Sequence, residues 1–292
     1  KKKKVAVVGG GVSGMSAALT AAQRGHDVTI YEKSSWLGGQ ILLAAIPPGR
    51  EDFASLAEDL ETQMLVEDVR VVLEHEATVD DLKAEKYDTV ILATGAMPIT
   101  PPIPGVDSQN VIQAWDYLAG NRYIGKKVVV VGGGAVGVET ALTVAETGTL
   151  SAETVKFLLL QNAETVEEIK YLATHGTKEV TLVEMLSKVG KDIGKSTRWT
   201  MSADLKRYGV NVLTGAKVLE INSDGVKIQK KEGSVELIPA DTVILAVGAK
   251  PYCPMKEDLE KSGMEVHIAG DAKKIALAFD AIHSGFKIGK KI

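Results

Sequence analysis

The sequence predicts an α/β protein of two parallel-sheet units of one kind, the first interrupted by the second, with a small antiparallel β-meander besides. Two observations predict it. An apolar run, Val5-Ala6-Val7-Val8, leads into Gly9-Gly10-Gly11-Val12-Ser13-Gly14 and then a helical run carrying Met15, Ala17, Ala18, Leu19, Ala21 and Ala22. The same succession returns at Lys126 to Val131, Gly132-Gly133-Gly134-Ala135-Val136-Gly137 and Val138 to Gly148.

The first stretch is a buried strand, a tight turn and a helix start in immediate succession. Gly9, Gly11 and Gly14 stand at G-x-G-x-x-G spacing. In a Rossmann-like unit the first glycine makes the turn, the second admits a pyrophosphate against bare backbone, and the third lets helix and strand pack closely. The helix N-terminus favours the anion. The next strand, Asp27 to Glu32, ends in a carboxylate at close to the ~20-residue distance from Gly14 expected of a ribose-binding acid.

The elements then follow in order. Lys33 to Arg50 is a long loop with Leu37-Gly38-Gly39-Gln40 and Pro47-Pro48, and it begins where a bound dinucleotide would lie. Phe53, Leu56, Leu60 and Met64 give Glu51 to Glu67 helical spacing. Val69 to Leu73 reads as a strand, Thr78 to Lys86 as a short helix, and Tyr87 to Ala93 as a strand ending in Thr94-Gly95. Pro98, Pro101, Pro102 and Pro104 mark a linker.

In the second unit the strand Glu179 to Glu184 comes well beyond the usual distance from Gly137. Residues 149–177 between them read as a helical insertion, with Thr165 to Glu168 fitting a capping box. After a helix over Thr197 to Tyr208, short strands at Val210–Leu213, Lys217–Asn222, Gly225–Lys230 and Ser234–Ile238 read as the meander. Asp241 to Gly248 repeats the layout of Asp88 to Gly95. Glu265 to Asp271 and a final helix over Ala272 to Lys290 close the chain.

Bulk properties exclude several classes. The 292 residues suffice for about two domains, and 45% apolar with 25% charged residues is ordinary for a globular protein. A net charge of −4 argues against nucleic acid or a membrane surface as the main partner. One cysteine, Cys253, excludes an internal disulfide, a Cys-x-x-Cys pair and a four-cysteine iron–sulfur site. The five histidines have no metal-ligand spacing, so no metal is expected. No signal peptide or membrane-length apolar run stands out, so the cytoplasm is expected. The missing initiator Met and abrupt start fit one part of a longer chain.

The Gly9–Gly14 loop, Tyr31-Glu32-Lys33, Leu37-Gly38-Gly39-Gln40, Ala93-Thr94-Gly95, Gly132–Glu139, Leu182-Val183-Glu184, Ala246-Val247-Gly248 and Ile268-Ala269-Gly270-Asp271 occur together. This set resembles the two-dinucleotide flavoproteins of the pyridine nucleotide-disulfide oxidoreductases. Within them it is similar to the C-terminal half of the NADH:flavin oxidoreductases related to enoate reductase and bacterial 2,4-dienoyl-CoA reductase. The resemblance implies a discontinuous FAD-binding domain, residues 1–110 and 246–292, with an NAD(P)H-binding domain, residues 111–245, inserted in it.

Roles follow by motif. Gly9, Gly11, Val12, Ser13 and Gly14 would hold the FAD pyrophosphate, and Glu32 with Lys33 the adenosine end. Gly39 and Gln40 would line the flavin, Thr94-Gly95 would pass beneath it, and Gly270-Asp271 would bind the ribityl and phosphate region. The helix after Asp271 would aim its N-terminus at the flavin, where two-electron reduction leaves negative charge. Asp271 also reads as a plain N-cap. Gly132, Gly134, Ala135, Val136, Gly137 and Gly248 would hold the nicotinamide dinucleotide, Glu139 would sit near the nicotinamide, and Glu184 would take both ribose hydroxyls. A carboxylate there favours NADH over NADPH, with Lys188 the nearest opposing charge.

The expected activity is hydride transfer from NADH to FAD, with electrons passed to an FMN/iron–sulfur barrel domain or another acceptor. No catalytic acid or base is assigned, and the lone cysteine removes the disulfide relay of the wider group. Two rivals stay open: a standalone NADH oxidase or reductase, and a non-catalytic ADP- or FAD-binding module.

Overall fold

The computed structural model describes residues 1–292, which divide into two compact units: residues 1–97 with 249–292, and residues 98–248. Each is a mixed α/β unit with its own parallel sheet.

The first unit begins with β1 (Lys4–Val8), α1 (Val12–Gln23), β2 (Asp27–Tyr31), α2 (Gln40–Ala44), α3 (Asp52–Val66), β3 (Arg70–Val72), α4 (Val79–Ala84), β4 (Thr89–Leu92) and β5 (Ala96–Pro98). Successive side chains of β1 point to opposite faces, both covered, so the strand is apolar from Val5 to Val8. Val5 and Val7 face the layer containing Met15, Leu19, Leu60 and Met64, whereas Ala6 and Val8 face Leu82, Tyr87 and Leu259. Both faces of the sheet are covered, so none of Val5 to Val8 could be polar without a buried partner.

The second unit runs β6 (Val111–Gln113), α5 (Ala114–Leu118), β7 (Lys127–Val131), α6 (Ala135–Ala145), α7 (Ala152–Gln161), α8 (Val166–Thr174), β8 (Glu179–Glu184), α9 (Lys195–Arg207), β9 (Asn211–Thr214), β10 (Lys217–Asn222), β11 (Gly225–Gln229), β12 (Val235–Pro239) and β13 (Thr242–Leu245). Its parallel sheet has the order β6-β13-β7-β8-β9. Val128 and Val130 pack under α6 with Val138 and Ala141, while Val129 and Val131 pack against Ile221, Val226 and Ile228 of the meander. The meander thus covers the face that helices leave open.

The chain then returns to the first unit as β14 (Ala249–Pro251), α10 (Lys256–Lys261), β15 (Glu265–Ile268), a 3-10 turn at Gly270–Ala272 and α11 (Ala278–Lys291). β15 completes a parallel sheet of order β15-β4-β1-β2-β3, and β14 pairs with β5. α11 lies on α1 through two glycines. A Cβ at Gly285 would fall 2.1 Å from the Ser13 carbonyl oxygen, and one at Gly289 2.7 Å from that of Ala17. The Ser16 hydroxyl donates to the Ile282 carbonyl at 2.9 Å across the same contact.

Two expectations from the sequence are corrected. The strand at Asn211–Thr214 belongs to the parallel sheet, beside β8, and the meander has three strands rather than four. It follows helix α9, so it completes a β-α-β crossover, which a strand pattern of four residues does not reveal. The last helix starts at Ala278, not Ala272. Residues between carry a turn held by Asp271, whose Oδ1 accepts the Ala276 N–H at 3.1 Å, so Asp271 does not cap a helix.

Candidate functional site: two glycine seats at the sheet switch points

In the first sheet β1 lies between β4 and β2, and in the second β7 lies between β13 and β8. Strand order reverses at β1 and at β7, and ligands of open parallel sheets bind beyond the strand ends at such points. Both glycine motifs leave the C-terminal ends of those central strands.

The three glycines of the first motif have separate jobs. Gly9 has φ +108°, and a Cβ there would lie 2.3 Å from the Ala93 carbonyl oxygen. A Cβ on Gly14 would lie 1.9 Å from the Gly9 carbonyl oxygen. These two are required by the protein's own packing. Gly11 is different: a Cβ there would meet only the Gly38 carbonyl oxygen, at 3.9 Å. Its bareness serves no internal contact and leaves room for a ligand at the start of α1.

The long loop after β2 folds back on this seat. Gly38 donates its N–H to the Gly10 carbonyl at 2.8 Å, and Gly11 and Gly38 form a parallel bridge. Glu32 closes the other side. Its Oε2 accepts the Gly10 N–H at 2.7 Å, and its Oε1 accepts the Ser34 N–H and hydroxyl at 2.9 and 2.8 Å. Lys33 beside it is exposed.

The return segment brings the remaining residues of the first motif set together. A Cβ on Gly270 would meet the Ser13 side chain within 2.7 Å. The Ser13 hydroxyl is buried and has no hydrogen-bond partner in the protein. Gln40 lies close enough to the Asp271 carboxylate to lower its pKa, and the Gln40 Nε2 lies 3.3 Å from where a Cβ on Gly95 would stand. Burial raises the Asp271 carboxyl above its ordinary value, against the lowering effect of the Ala276 N–H and Gln40. The Thr94 hydroxyl donates to the Tyr252 carbonyl. An open glycine, an orphaned hydroxyl and a half-buried acid fit a polyhydroxylated, phosphorylated group such as FAD.

The second motif opens on a cleft of about 780 Å³. Its walls include Gly132 to Val136, Glu184, Lys188, Asp192 and Gly248. That volume suits a dinucleotide fragment rather than a single ion. Glu184 is buried, its Oε2 accepting the Gly133 N–H and its Oε1 the Leu186 N–H, both at 2.6 Å. This repeats the Glu32 arrangement of the first unit. Gly137 packs as Gly14 does, with a Cβ position 1.8 Å from the Gly132 carbonyl oxygen. Glu139 lies further along α6 and is not among the residues of the cleft wall.

The sequence missed several wall residues. Pro101 to Pro104 and Ala216 to Leu219 line the cleft, as do Lys191 and Asp192. Asp192 accepts the Ala135 N–H with both oxygens, at 2.9 and 3.0 Å. The one legible signal was the Gly190-Lys191-Asp192-Ile193-Gly194 stretch, a polar loop between two glycines immediately after a predicted ligand strand.

Two parallel sheets, each with a glycine seat and a backbone-held glutamate at its switch point, define a flavin-dependent nicotinamide-dinucleotide oxidoreductase fold. The family model for pyridine nucleotide-disulphide oxidoreductases matches residues 3–274, and the chain belongs to that family. It is 47% identical over 287 residues to a metal reductase of Desulforamulus reducens, covering 97% of this chain and 43% of that one. It is 39% identical over 296 residues to an NADH oxidase of Thermoanaerobacter brockii, covering 100% and 41%. The structure of a 2-naphthoyl-CoA reductase complex matches with TM-score 0.86 at 33% identity, covering 100% of this chain and 40% of that one. The chain therefore spans about two-fifths of the length of these relatives. Despite the family's name it has no disulfide: Cys253 is a free, partly buried thiol, and burial pushes its pKa up. No helix is long and apolar enough to cross a membrane.

Proposed function

We propose that the chain is the electron-input module of a flavin-dependent oxidoreductase. Its first unit holds FAD, its second holds NADH, and the electrons leave to an acceptor outside it. The observation that carries this reading is the repetition, at both switch points, of a glycine seat beside a glutamate fastened to that seat's backbone.

Gly11 admits the FAD pyrophosphate against α1, whose N-terminal amides and dipole hold it. The Ser13 hydroxyl gains the partner it lacks, and Asp271 with Gln40 meets the ribityl hydroxyls. Glu32 already accepts three donors, the Gly10 N–H and the Ser34 N–H and hydroxyl, which leaves about one lone pair, on Oε2, for the adenosine ribose. In the second unit Gly134 and Ala135 take the dinucleotide pyrophosphate, Glu184 its ribose, and Val136 and Gly248 the cleft wall beyond. When bound, the flavin accepts a hydride from the reduced nicotinamide and passes the electrons on. The chain contributes binding and alignment.

Glu184 favours NADH, because a buried carboxylate accepts from a ribose 2′-hydroxyl and repels a 2′-phosphate. Lys188 and Lys191 on the same wall reduce that preference. The acceptor lies in a further domain or subunit, of which the FMN/iron–sulfur barrel of the resembled enzymes is the model. In support, relatives that match essentially this whole chain bear names with different acceptors: metal, bilirubin and cinnamate reductases. A shared input half with separate acceptor halves explains that pattern. We place the reaction in the cytoplasm.

The test is spectroscopic. Purified protein should be yellow, release FAD on denaturation, and bleach anaerobically with NADH well before it does with NADPH. Colourless protein that takes up no FAD overturns the reading. Yellow protein that neither nucleotide bleaches leaves only a binding module.

A further inference from the structure

The two glycine seats differ at one atom position. In the first unit the space above Gly11 is open, the nearest atom to a Cβ there being 3.9 Å away. In the second, the equivalent space above Gly134 is filled: a Cβ would meet Asp192 Oδ2 at 3.2 Å and Oδ1 at 3.6 Å. Both oxygens accept the Ala135 N–H, the first amide of α6. Gly134, as N-cap, has no side chain to accept from that turn, and the first turn of α6 has no acid of its own. A carboxylate from a distant loop supplies the missing negative charge, which the helix dipole favours. The loop is pinned at its base, where Gly190 donates to the Gly133 carbonyl at 2.7 Å.

We propose that Asp192 is an intramolecular stand-in for the dinucleotide pyrophosphate. It holds the amide that a pyrophosphate would take, and a bound dinucleotide must displace it. Two anions compete for one amide, and the carboxylate's charge opposes the incoming phosphates until it leaves. Asp192 therefore sets dinucleotide affinity without contacting the bound dinucleotide's reacting end. The penalty falls equally on NADH and NAD⁺, because both carry the same pyrophosphate. The inference rests on the assignment of the dinucleotide to the second unit.

The test measures binding of ADP-ribose, which carries the pyrophosphate without the nicotinamide, to the holoprotein by calorimetry. Asp192→Ala and Asp192→Asn are compared with the parent, and adenosine, which has no phosphate, is the control ligand. Asp192→Ala should bind ADP-ribose about two- to fivefold more tightly, the range a charge at an exposed helix end carries. Asp192→Asn, which keeps an acceptor but no charge, should fall between, and adenosine binding should not change. Thermal melting confirms that each variant is folded, and if Asp192→Ala is not, Asp192→Asn carries the test. Unchanged or weaker ADP-ribose binding overturns the stand-in role alone. No ADP-ribose binding by parent and variants, in protein that is still yellow, overturns the second-unit assignment as well.

Discussion

The Gly133 N–H points at Glu184 Oε2 from 2.6 Å, so the acid at the end of β8 is fastened to the glycine motif at the end of β7. Leu186 holds the other oxygen at the same distance. One side chain thereby fastens the glycine turn that, on the proposed reading, would seat a pyrophosphate, and is itself the group that would meet the ribose. Glu184→Gln sets an amide NH₂ against a backbone N–H, leaving a buried donor unpaired. It should cost about 1–3 kcal/mol of stability, read as a lower melting temperature. NADH should lose more affinity than NADPH in the same variant, shown by titrating the anaerobic protein with each nucleotide.

The glycines of the first motif separate packing from binding. Gly11→Ala should give folded apoprotein with a near-parental melting temperature, since its methyl meets nothing closer than 3.9 Å. Its FAD content after purification should fall sharply. Gly14→Ala puts a methyl 1.9 Å from the Gly9 carbonyl oxygen and should instead lower stability by several kcal/mol or abolish soluble expression.

The helical insertion can be removed at a ready-made turn. Thr177 donates its N–H to the Thr147 carbonyl at 2.8 Å, and once residues 149–175 are removed that bond would close a four-residue turn with Gly148 and Gly176 at its centre. Deleting residues 149–175 joins those glycines directly. Helix α7 buries no residue, so FAD content and NADH bleaching should persist, with only a small fall in melting temperature from the loss of buried Ile169. Loss of flavin or of bleaching would give the insertion a part in the sites.

Acid stability should depend on Glu265. The Lys3 ammonium at 2.6 Å, then His267, hold its carboxyl down at about 2 against the opposing effect of burial, and Thr89 adds a further bond. A depressed carboxyl adds stability that is full above its unfolded value near 4.5 and is lost as pH falls toward about 2. The pair is partly exposed, so the effect is on the order of 1 kcal/mol or less. Glu265→Gln should lower stability at neutral pH and flatten its decline between those values, measured by urea unfolding across the range.

Glycine motifs, the glutamates at the strand ends and parallel strands were legible in the sequence because each is a local demand. Gly9 and Gly132 have φ near +105°, which a side chain resists, and they sit within one turn of the strand they end. Glu32 and Glu184 each close a strand whose apolar run announces its end. The Asp192 contact had only the flanking Gly190 and Gly194 to mark its loop, and nothing local to name its partner: it joins residues 57 apart in sequence. The cleft walls at Pro101–Pro104 and Ala216–Leu219 come together only when the meander packs on β7.

The sequence by itself determined that two dinucleotide-type seats exist and which residues shape their turns, since steric exclusion at a glycine and strand periodicity act over a few residues. Only the tertiary structure decided which seat is open and which already holds a carboxylate, that β9 joins the parallel sheet, and that α11 starts six residues later than its pattern suggests. Those outcomes depend on competition among partners far apart in the chain. The winner is set by which groups packing brings within hydrogen-bond reach.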